Sequence, residues 1–549
     1  RWQWTFPIIF SPIDPHMLYV SSHRLWKTTN GGRTWTVISG DLTRHDSSTM
    51  GLSGGPITGD MNGPETYAVI FSVAPGKRSV NTIWTGSDDG LVHVTRDGGR
   101  TWTNVTPKDM PEFGRVSQID ASAFNDGAAY VSVRRPLLND QSPYIWKTTD
   151  YGRSWTKIIT GIRPDAYVHA VREDPTRRGL LYAATQHGVY VSYDDGAQWR
   201  SLVLNMPDVP VSDLVVQDNE LAIATHGRGF WVLDDIAALR QITPAIASSE
   251  LHLFTPPLGV RSGPGVSVSW ITKSAPKVAK LEILDSTNAV LRTFEPDTTP
   301  PDSAAARAQG GGRRGFSGPY LPKTAGFNHL TWDLRTKPIA SFPGMILWGA
   351  STFGPAVPSG RYTARLTVDG KAVSTPIVVK RNPLLTDVSD ADLRAQYAFG
   401  KKVWVKANEA NESVIGIRRV KAQLADREKK SSDAALKTAA DSLMKHTSGV
   451  EEKIYQVRNQ SGQDPLNFPI KVNNRLANLL SMSERGDGPP NNNWEGIYGI
   501  LAAELKGHTD ALARIYKTDL VTVNNELSRL KLAPLDPGCA KTEGCTAVP

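Results

Sequence analysis

The chain has 549 residues, with 62 Lys and Arg against 54 Asp and Glu, a net charge of +8. That length exceeds one ordinary core and implies two to four domains. The basic residues are dispersed rather than striped, which argues against a nucleic-acid partner, and no apolar run approaches the roughly 18 to 20 residues of a transmembrane segment.

The first strand signals are Leu18 to Ser21 and Leu25 to Thr28, joined by the turn Ser22-His23-Arg24. A second turn, Thr28-Thr29-Asn30-Gly31-Gly32-Arg33-Thr34-Trp35, opens a further strand over 34–38. The pattern returns as Thr95-Arg96-Asp97-Gly98-Gly99-Arg100-Thr101-Trp102, Thr148-Thr149-Asp150-Tyr151-Gly152-Arg153-Ser154-Trp155 and Ser192-Tyr193-Asp194-Asp195-Gly196-Ala197-Gln198-Trp199. Spacings of roughly 45 to 65 residues mark a repeat architecture. Asn30, Asp97, Asp150 and Asp194 suit the position that folds a side chain back onto backbone N–H groups. Gly32, Gly99, Gly152 and Gly196 suit positive φ, and Trp35, Trp102, Trp155 and Trp199 offer apolar faces to a neighbouring repeat. The fourth turn departs at Gln198, where the others carry Thr or Ser.

These turns resemble the Asp box of BNR-repeat propellers, a group that includes sialidase-like, xyloglucanase and sortilin-type proteins. The resemblance implies a mainly β fold in which the box residues are structural staples. Repeats at 82–105, 128–158 and 180–203 keep the same order, and a fifth, 220–233, lacks the box. Residues 1–240 are therefore expected to be propeller blades. Five blades predict an arc of a larger ring, completed by a further N-terminal segment or by another chain. The chain starts at Arg1 with neither Met nor a signal segment, which reads as a mature or proteolysed piece of a longer precursor, or as an ordered fragment of a longer chain.

Successive turns of an antiparallel blade alternate between its two ends. The turn before each box therefore lies opposite the box, placing Arg24, Asp88, Asp89, His187, His226 and Arg228 on one ligand-binding face. The stretches 43–63 and 164–174, with Arg44, His45, Asp46, Asp60, His169, Arg172 and Glu173, read as connections that add to it. The alternative is that Asp88-Asp89-Gly90 and His226-Gly227-Arg228-Gly229 are tight turns spending their polar side chains locally. Asp60, Asp88 and Asp89 are the weak catalytic candidates for a glycosidase, which needs two carboxylates facing one cleft.

After a junction near 239–250, strands at 266–271, 279–284, 290–294, 327–333, 360–368 and 374–379 predict a β-sandwich over 250–382. The run from Gly326 through Trp332-Asp333, followed by Pro358-Ser359-Gly360-Arg361-Tyr362-Thr363, resembles FlgD-type immunoglobulin-like domains, with Trp332 in the core. Residues 300–320 are glycine-rich and basic, and read as a flexible insertion. The apolar run Phe342 to Trp348 either covers a propeller–sandwich interface or forms a partner patch. Helical periodicity over 387–532 predicts a hairpin or bundle. A tail over 533–549 carries the two cysteines, Cys539 and Cys545, either disulfide-bonded or free.

The order of boxes, immunoglobulin-like domain and helical tail resembles bacterial sortilin-type (VPS10-like) exported proteins. No arginine-led sialidase element, nucleophile elbow or metal-ligand spacing occurs, so no cofactor or metal is expected. The leading expectation is an exported, non-catalytic recognition or assembly protein, periplasmic, cell-surface or extracellular, that binds a protein, peptide or glycan. A carbohydrate-active hydrolase and a structural subunit of a surface assembly are the alternatives.

Overall fold

The computed structural model describes residues 1–52, 54–61, 65–297 and 320–538. Cys539, Cys545 and the glycine-rich stretch 300–319 lie outside the described residues. The chain divides into two compact units, Arg1–Pro244 and Ala245–Pro549.

The first unit is a succession of small antiparallel sheets of propeller-blade type. Sheet one is β1 (Ile8–Phe10), β2 (Leu18–Ser21), β3 (Leu25–Thr28) and β4 (Thr36–Val37). Sheet two is β5 (Ile70–Pro75), β6 (Ile83–Ser87), β7 (Val92–Thr95) and β8 (Thr103–Asn104). Sheet three is β9 (Arg115–Ala121), β10 (Ala129–Arg135), β11 (Asp140–Thr148) and β12 (Thr156–Lys157). Sheet four is β13 (Val168–Glu173), β14 (Leu181–Thr185), β15 (Gly188–Ser192) and β16 (Arg200–Ser201). Sheet five has β17 (Val211–Gln217), β18 (Glu220–Thr225) and β19 (Phe230–Leu233). The first strands of successive sheets pack on one another, β5 on β9, β9 on β13 and β13 on β17.

Each interface between sheets is an apolar layer; Trp84, Val116, Val133 and Trp146 fill one, and Ile145, Val168, Leu181 and Trp199 the next. The tryptophan-ended turns join these layers. In the second turn Asp97 Oδ1 accepts from Thr101 N (2.9 Å) and Thr95 Oγ1 (2.8 Å), while Oδ2 accepts from Thr101 Oγ1 (2.6 Å). Asp150 repeats this with Ser154 and Thr148. Asn30 keeps the backbone bond, but its amide donates to Thr34 Oγ1 where a carboxylate would accept. Asp194 lacks the second hydroxyl, since Gln198 turns to the Trp199 carbonyl instead.

The outward faces of the first and last sheets are apolar and exposed. Ile8 and Phe10 lie on one, and Val215, Phe230 and Val232 on the other, aligned in register across β17, β18 and β19.

In the second unit a three-stranded sheet, β20 (Leu251–Leu253), β22 (Val266–Thr272) and β25 (Gly326–Trp332), faces a five-stranded one. The latter is ordered β21 (Gly259–Val260), β27 (Lys371–Lys380), β26 (Gly360–Val368), β23 (Ala279–Leu284) and β24 (Val290–Phe294). Both contribute to one core around Trp270 and Trp332. Helices α1 (Asp390–Glu428), α2 (Ala434–Ile454), α3 (Val472–Ser483) and α4 (Asn492–Arg529) follow. A capping box of Ser389 and Asp392 starts α1, satisfying N–H groups that a helix start leaves unpaired.

The run 342–348 packs within the second unit. Phe342 enters the helical core, Ile346 N donates to Tyr455 Oη (3.0 Å) and Trp348 N to Asn474 Oδ1 (2.7 Å), because α1 to α3 offer the apolar surface it matches. Among the described residues no helix is long and apolar enough to cross a membrane.

Candidate functional site

The two ends of the blades are bonded differently. At one end the tryptophan-ended turns donate to the short turns between first and second strands: Gly98 N to Asn81 O, Tyr151 N to Gly127 O and Asp195 N to Gly179 O. At the other end the turns between second and third strands meet the sheet-to-sheet connections, through Asp88 N to Val69 O, Gln186 N to Tyr167 O and His226 N to Pro210 O. Arg24, Asp88, Asp89, His187, His226 and Arg228 all belong to this second end.

Asp88 and Asp89 are not presented to solvent, being 2% and 1% exposed. Asp88 accepts from Val69 N (2.9 Å), and burial pushes its carboxyl up to about 7. Asp89 accepts from Arg44 N (2.8 Å) and Ser87 Oγ (2.5 Å), and Arg44 Nε donates to the Asp89 carbonyl (2.7 Å). The pair pins the long connection after sheet one onto sheet two. Asp60 is exposed, beyond the Gly54–Gly59 bridge, and His226 and Arg228 are exposed in their turn. Arg172 and Glu173 do not belong to this face. Residues 168–173 form β13 rather than a connection, which carries both to the box end, where Glu173 is buried against Ser122 and Tyr130.

His187 gathers charged groups that sequence reading passed over. Its Nδ1 lies 2.9 Å from Asp208 Oδ1, and its Nε2 lies 3.9 Å from Asp165 Oδ2. Arg163 donates to both Asp165 oxygens (2.6 and 2.7 Å) and stands 3.9 Å from Asp208. Both carboxylates are more than half exposed. The Arg163 bonds hold Asp165 below the usual carboxylate range. His187 thus stands between two exposed carboxylates, the pairing of groups that glycosidase chemistry requires.

A basic cluster lies at the same blade end. Arg115 and Arg134 are opposite each other across β9 and β10. Arg134 Nη1 approaches His169 Nδ1 (2.9 Å), and burial with the Arg134 charge lowers His169 to about 4, so the imidazole is the neutral acceptor. Arg115 lies over the Phe71 ring at 4.7 Å. Among the described residues no three His, Cys, Asp or Glu side chains converge as metal ligands. An apolar groove of about 340 Å³ lies between α3 and α4 in the second unit, lined by Met482, Trp494 and Ile500.

A xyloglucanase of Paenibacillus sp is 23% identical over 228 residues, covering 36% of this chain and 20% of that protein. The chain thus spans about a fifth of the length of this curated relative. The GH74 xyloglucanase structure from Xanthomonas campestris is 16% identical, covering 67% of this chain and 63% of that one, with a TM-score of 0.32. A GH74 enzyme of Niastella koreensis is 14% identical over 49% and 51% of the two chains, TM-score 0.26. YCF48 bound to D1 peptide is 15% identical over 50% and 81%, TM-score 0.27. No family model matches the chain.

Proposed function

We propose that the protein is a glycan-directed β-propeller of the glycoside-hydrolase type, acting at the blade end that carries His187. The observation behind this reading is the exposed pair Asp165 and Asp208 flanking His187, and the sequence likeness to a xyloglucanase supports it. Asp165, kept ionised by Arg163, takes the base or nucleophile role. Asp208, held by His187, supplies the second carboxyl that such chemistry needs. This replaces the buried Asp88 and Asp89 as the catalytic candidates.

The test is reducing-sugar release from xyloglucan and related β-glucans, with glycan binding measured in parallel. Asp165→Asn and Asp208→Asn should each lower kcat/KM by about 100-fold or more while binding persists. Binding without release from any glycan would refute hydrolysis. It would favour the second reading, a non-catalytic recognition or assembly protein or a structural subunit of a surface assembly.

That second reading draws on the exposed apolar faces of the first and last sheets, which suit further blades from an N-terminal segment or another chain. Export to the periplasm, cell surface or medium, the sortilin-type relationship, the immunoglobulin-like sandwich and the domain division at 1–240, 250–382, 387–532 and 533–549 belong to the same proposal.

A further inference from the structure

Arg115 and Arg134 are placed as sheet design avoids. The register of β9 and β10 sets them directly opposite, and like charges facing across a strand pair repel. A cross-strand pair of this kind ordinarily acquires a carboxylate between its members. Here, among the described residues, neither guanidinium has an acidic group within ion-pair distance.

Their contacts leave the charge uncompensated. Arg134 is half-buried, and its hydrogen-bond partner is His169, a neutral imidazole that lends a lone pair but no charge. Arg115 rests on the Phe71 ring, which orients the guanidinium by its π face and leaves its N–H edge uncommitted. The carboxyl whose field reaches Arg115 is Asp88, buried and bonded to Val69 N. Arg44, the next cation along the face, is turned toward the Asp89 backbone and the Phe113 ring. Tyr167, with its ring 5.0 Å from that of His169, and Gln186 complete the surround with neutral groups.

Two part-buried guanidinia, Arg115 with no hydrogen bond among the described residues and Arg134 with one bond to a neutral imidazole, are a receptor for an oxyanion, because a planar fork matches the spacing of carboxylate or sulfate oxygens. The cluster also adjoins the carboxylate pair through consecutive residues: Asp165 stands two positions before Tyr167, and Gln186 immediately precedes His187. An anion held by the arginines is thus held next to the place where a sugar would meet Asp165 and Asp208.

We infer that Arg115 and Arg134 bind the anionic substituent, uronate carboxylate or sulfate ester, of an acidic oligosaccharide whose neighbouring unit lies at His187. The choice of a glycan rests on the proposed function; the oxyanion site rests on the arginines alone. Asp165 and Asp208 repel an acidic group from their own position, so the two clusters fix the direction in which such a chain lies.

Titration calorimetry tests this with four probes: a uronate oligosaccharide, a sulfated oligosaccharide, a neutral oligosaccharide of the same length, and sodium sulfate. The expected result is that an acidic oligosaccharide binds at least ten times more tightly than the neutral one. Arg115→Gln and Arg134→Gln should each erase that preference, and Arg134→Lys should retain part of it. Added salt should weaken acidic but not neutral binding in the unmutated protein, a reading that needs no variant. The uronate and sulfated arms identify the preferred oxyanion. Equal binding of the neutral and acidic sugars, insensitive to the variants, would overturn the arginine site while leaving the proposed function standing. Binding of sulfate as tightly as of either acidic sugar would overturn the glycan assignment. Acidic-sugar binding without hydrolysis of any glycan would support this site and remove the hydrolase reading.

Discussion

Trp199 Nε1 donates to the carbonyl of Ile158 at 2.8 Å, across the boundary between sheets three and four. Trp155 does the same to Val105 (2.7 Å) and Trp102 to Ile38 (2.9 Å), so each box tryptophan is bonded to the last-strand region of the sheet before it. Trp35 sits in the first sheet, has no preceding sheet among the described residues, and is 38% exposed against 1% for Trp199. The indole thus does two things in one place: it fills the layer between sheets and satisfies a carbonyl at the layer's rim.

Trp199→Phe should therefore destabilise the first unit by about 2–4 kcal/mol, from a partly emptied core site and an unpaired buried carbonyl. Trp35→Phe should cost less than about 1 kcal/mol, as expected away from such features. Urea denaturation followed by circular dichroism compares the two, and equal losses would contradict the bonding role.

The box glycines divide in the same way. A Cβ on Gly196 (φ +87°) would stand 2.4 Å from Ile158 Cδ1, whereas on Gly32 (φ +84°) the nearest group is the Trp35 ring at 3.7 Å. Gly196→Ala pays both the left-handed backbone cost and overpacking, about 2–5 kcal/mol together, and Gly32→Ala the backbone cost alone, about 1–2 kcal/mol. Melting temperatures of the two variants should fall in that order.

Much of this was legible in the sequence because the turn residues act locally. Asp97 or Asp150 needs only the hydroxyl and N–H groups within four positions, so its pattern survives in a linear reading. The first strand of each sheet was not legible in this way. Arg115–Ala121 has polar residues on both faces, because Ser117 bonds to Val168 O of the next sheet and Gln118 accepts from Val171 N, and alternation disappears. The candidate site suffers most from this. Asp88 and Asp89 looked available because the connection that closes over them is distant in sequence. Asp165 with Asp208, and Arg115 with Arg134, become neighbours only once the register and connections are known.

In the second unit, Arg261 and Asp487 form a buried ion pair at 2.6 Å that ties the sandwich to the segment between α3 and α4. Gln396 of α1 and the Val357 carbonyl each accept a further N–H of Arg261. Asp487→Ala leaves a buried cation without its counterion and should cost about 3–5 kcal/mol. Because the pair joins strands to helices, hydrogen exchange should quicken in both β27 and α1; acceleration confined to α3 would argue against that coupling.

Asp150 gives an acid-side prediction. Its hydrogen bonds to Ser154 and the Ser154 backbone lower it to about 2, below the unfolded value near 3.9. A carboxyl lowered on folding contributes stability that is fully present above the unfolded value and lost as pH falls through the folded one. Stability should decline between about pH 4 and pH 2, and Asp150→Asn should flatten that decline in urea midpoints taken across the window.

Asp88 predicts the opposite slope near neutrality. Its folded pKa of about 7 lies above the unfolded value near 3.9, so the protonated form is the one the fold prefers. Its contribution is fully present below pH 4 and is lost as pH rises through 7. Asp89 reinforces the shift and Arg115 opposes it, while burial is the largest cause. Asp88→Asn keeps an acceptor for Val69 N and removes the charge. At pH 3 the variant should match the parent closely, and at pH 8 it should be more stable by an amount on the order of 1–3 kcal/mol, discounted for partial solvation. Urea midpoints at both pH values decide it. A variant less stable than the parent at pH 8 would mean that Asp88 is held charged by Arg115 and is no longer the neutral, buried pin of the connection.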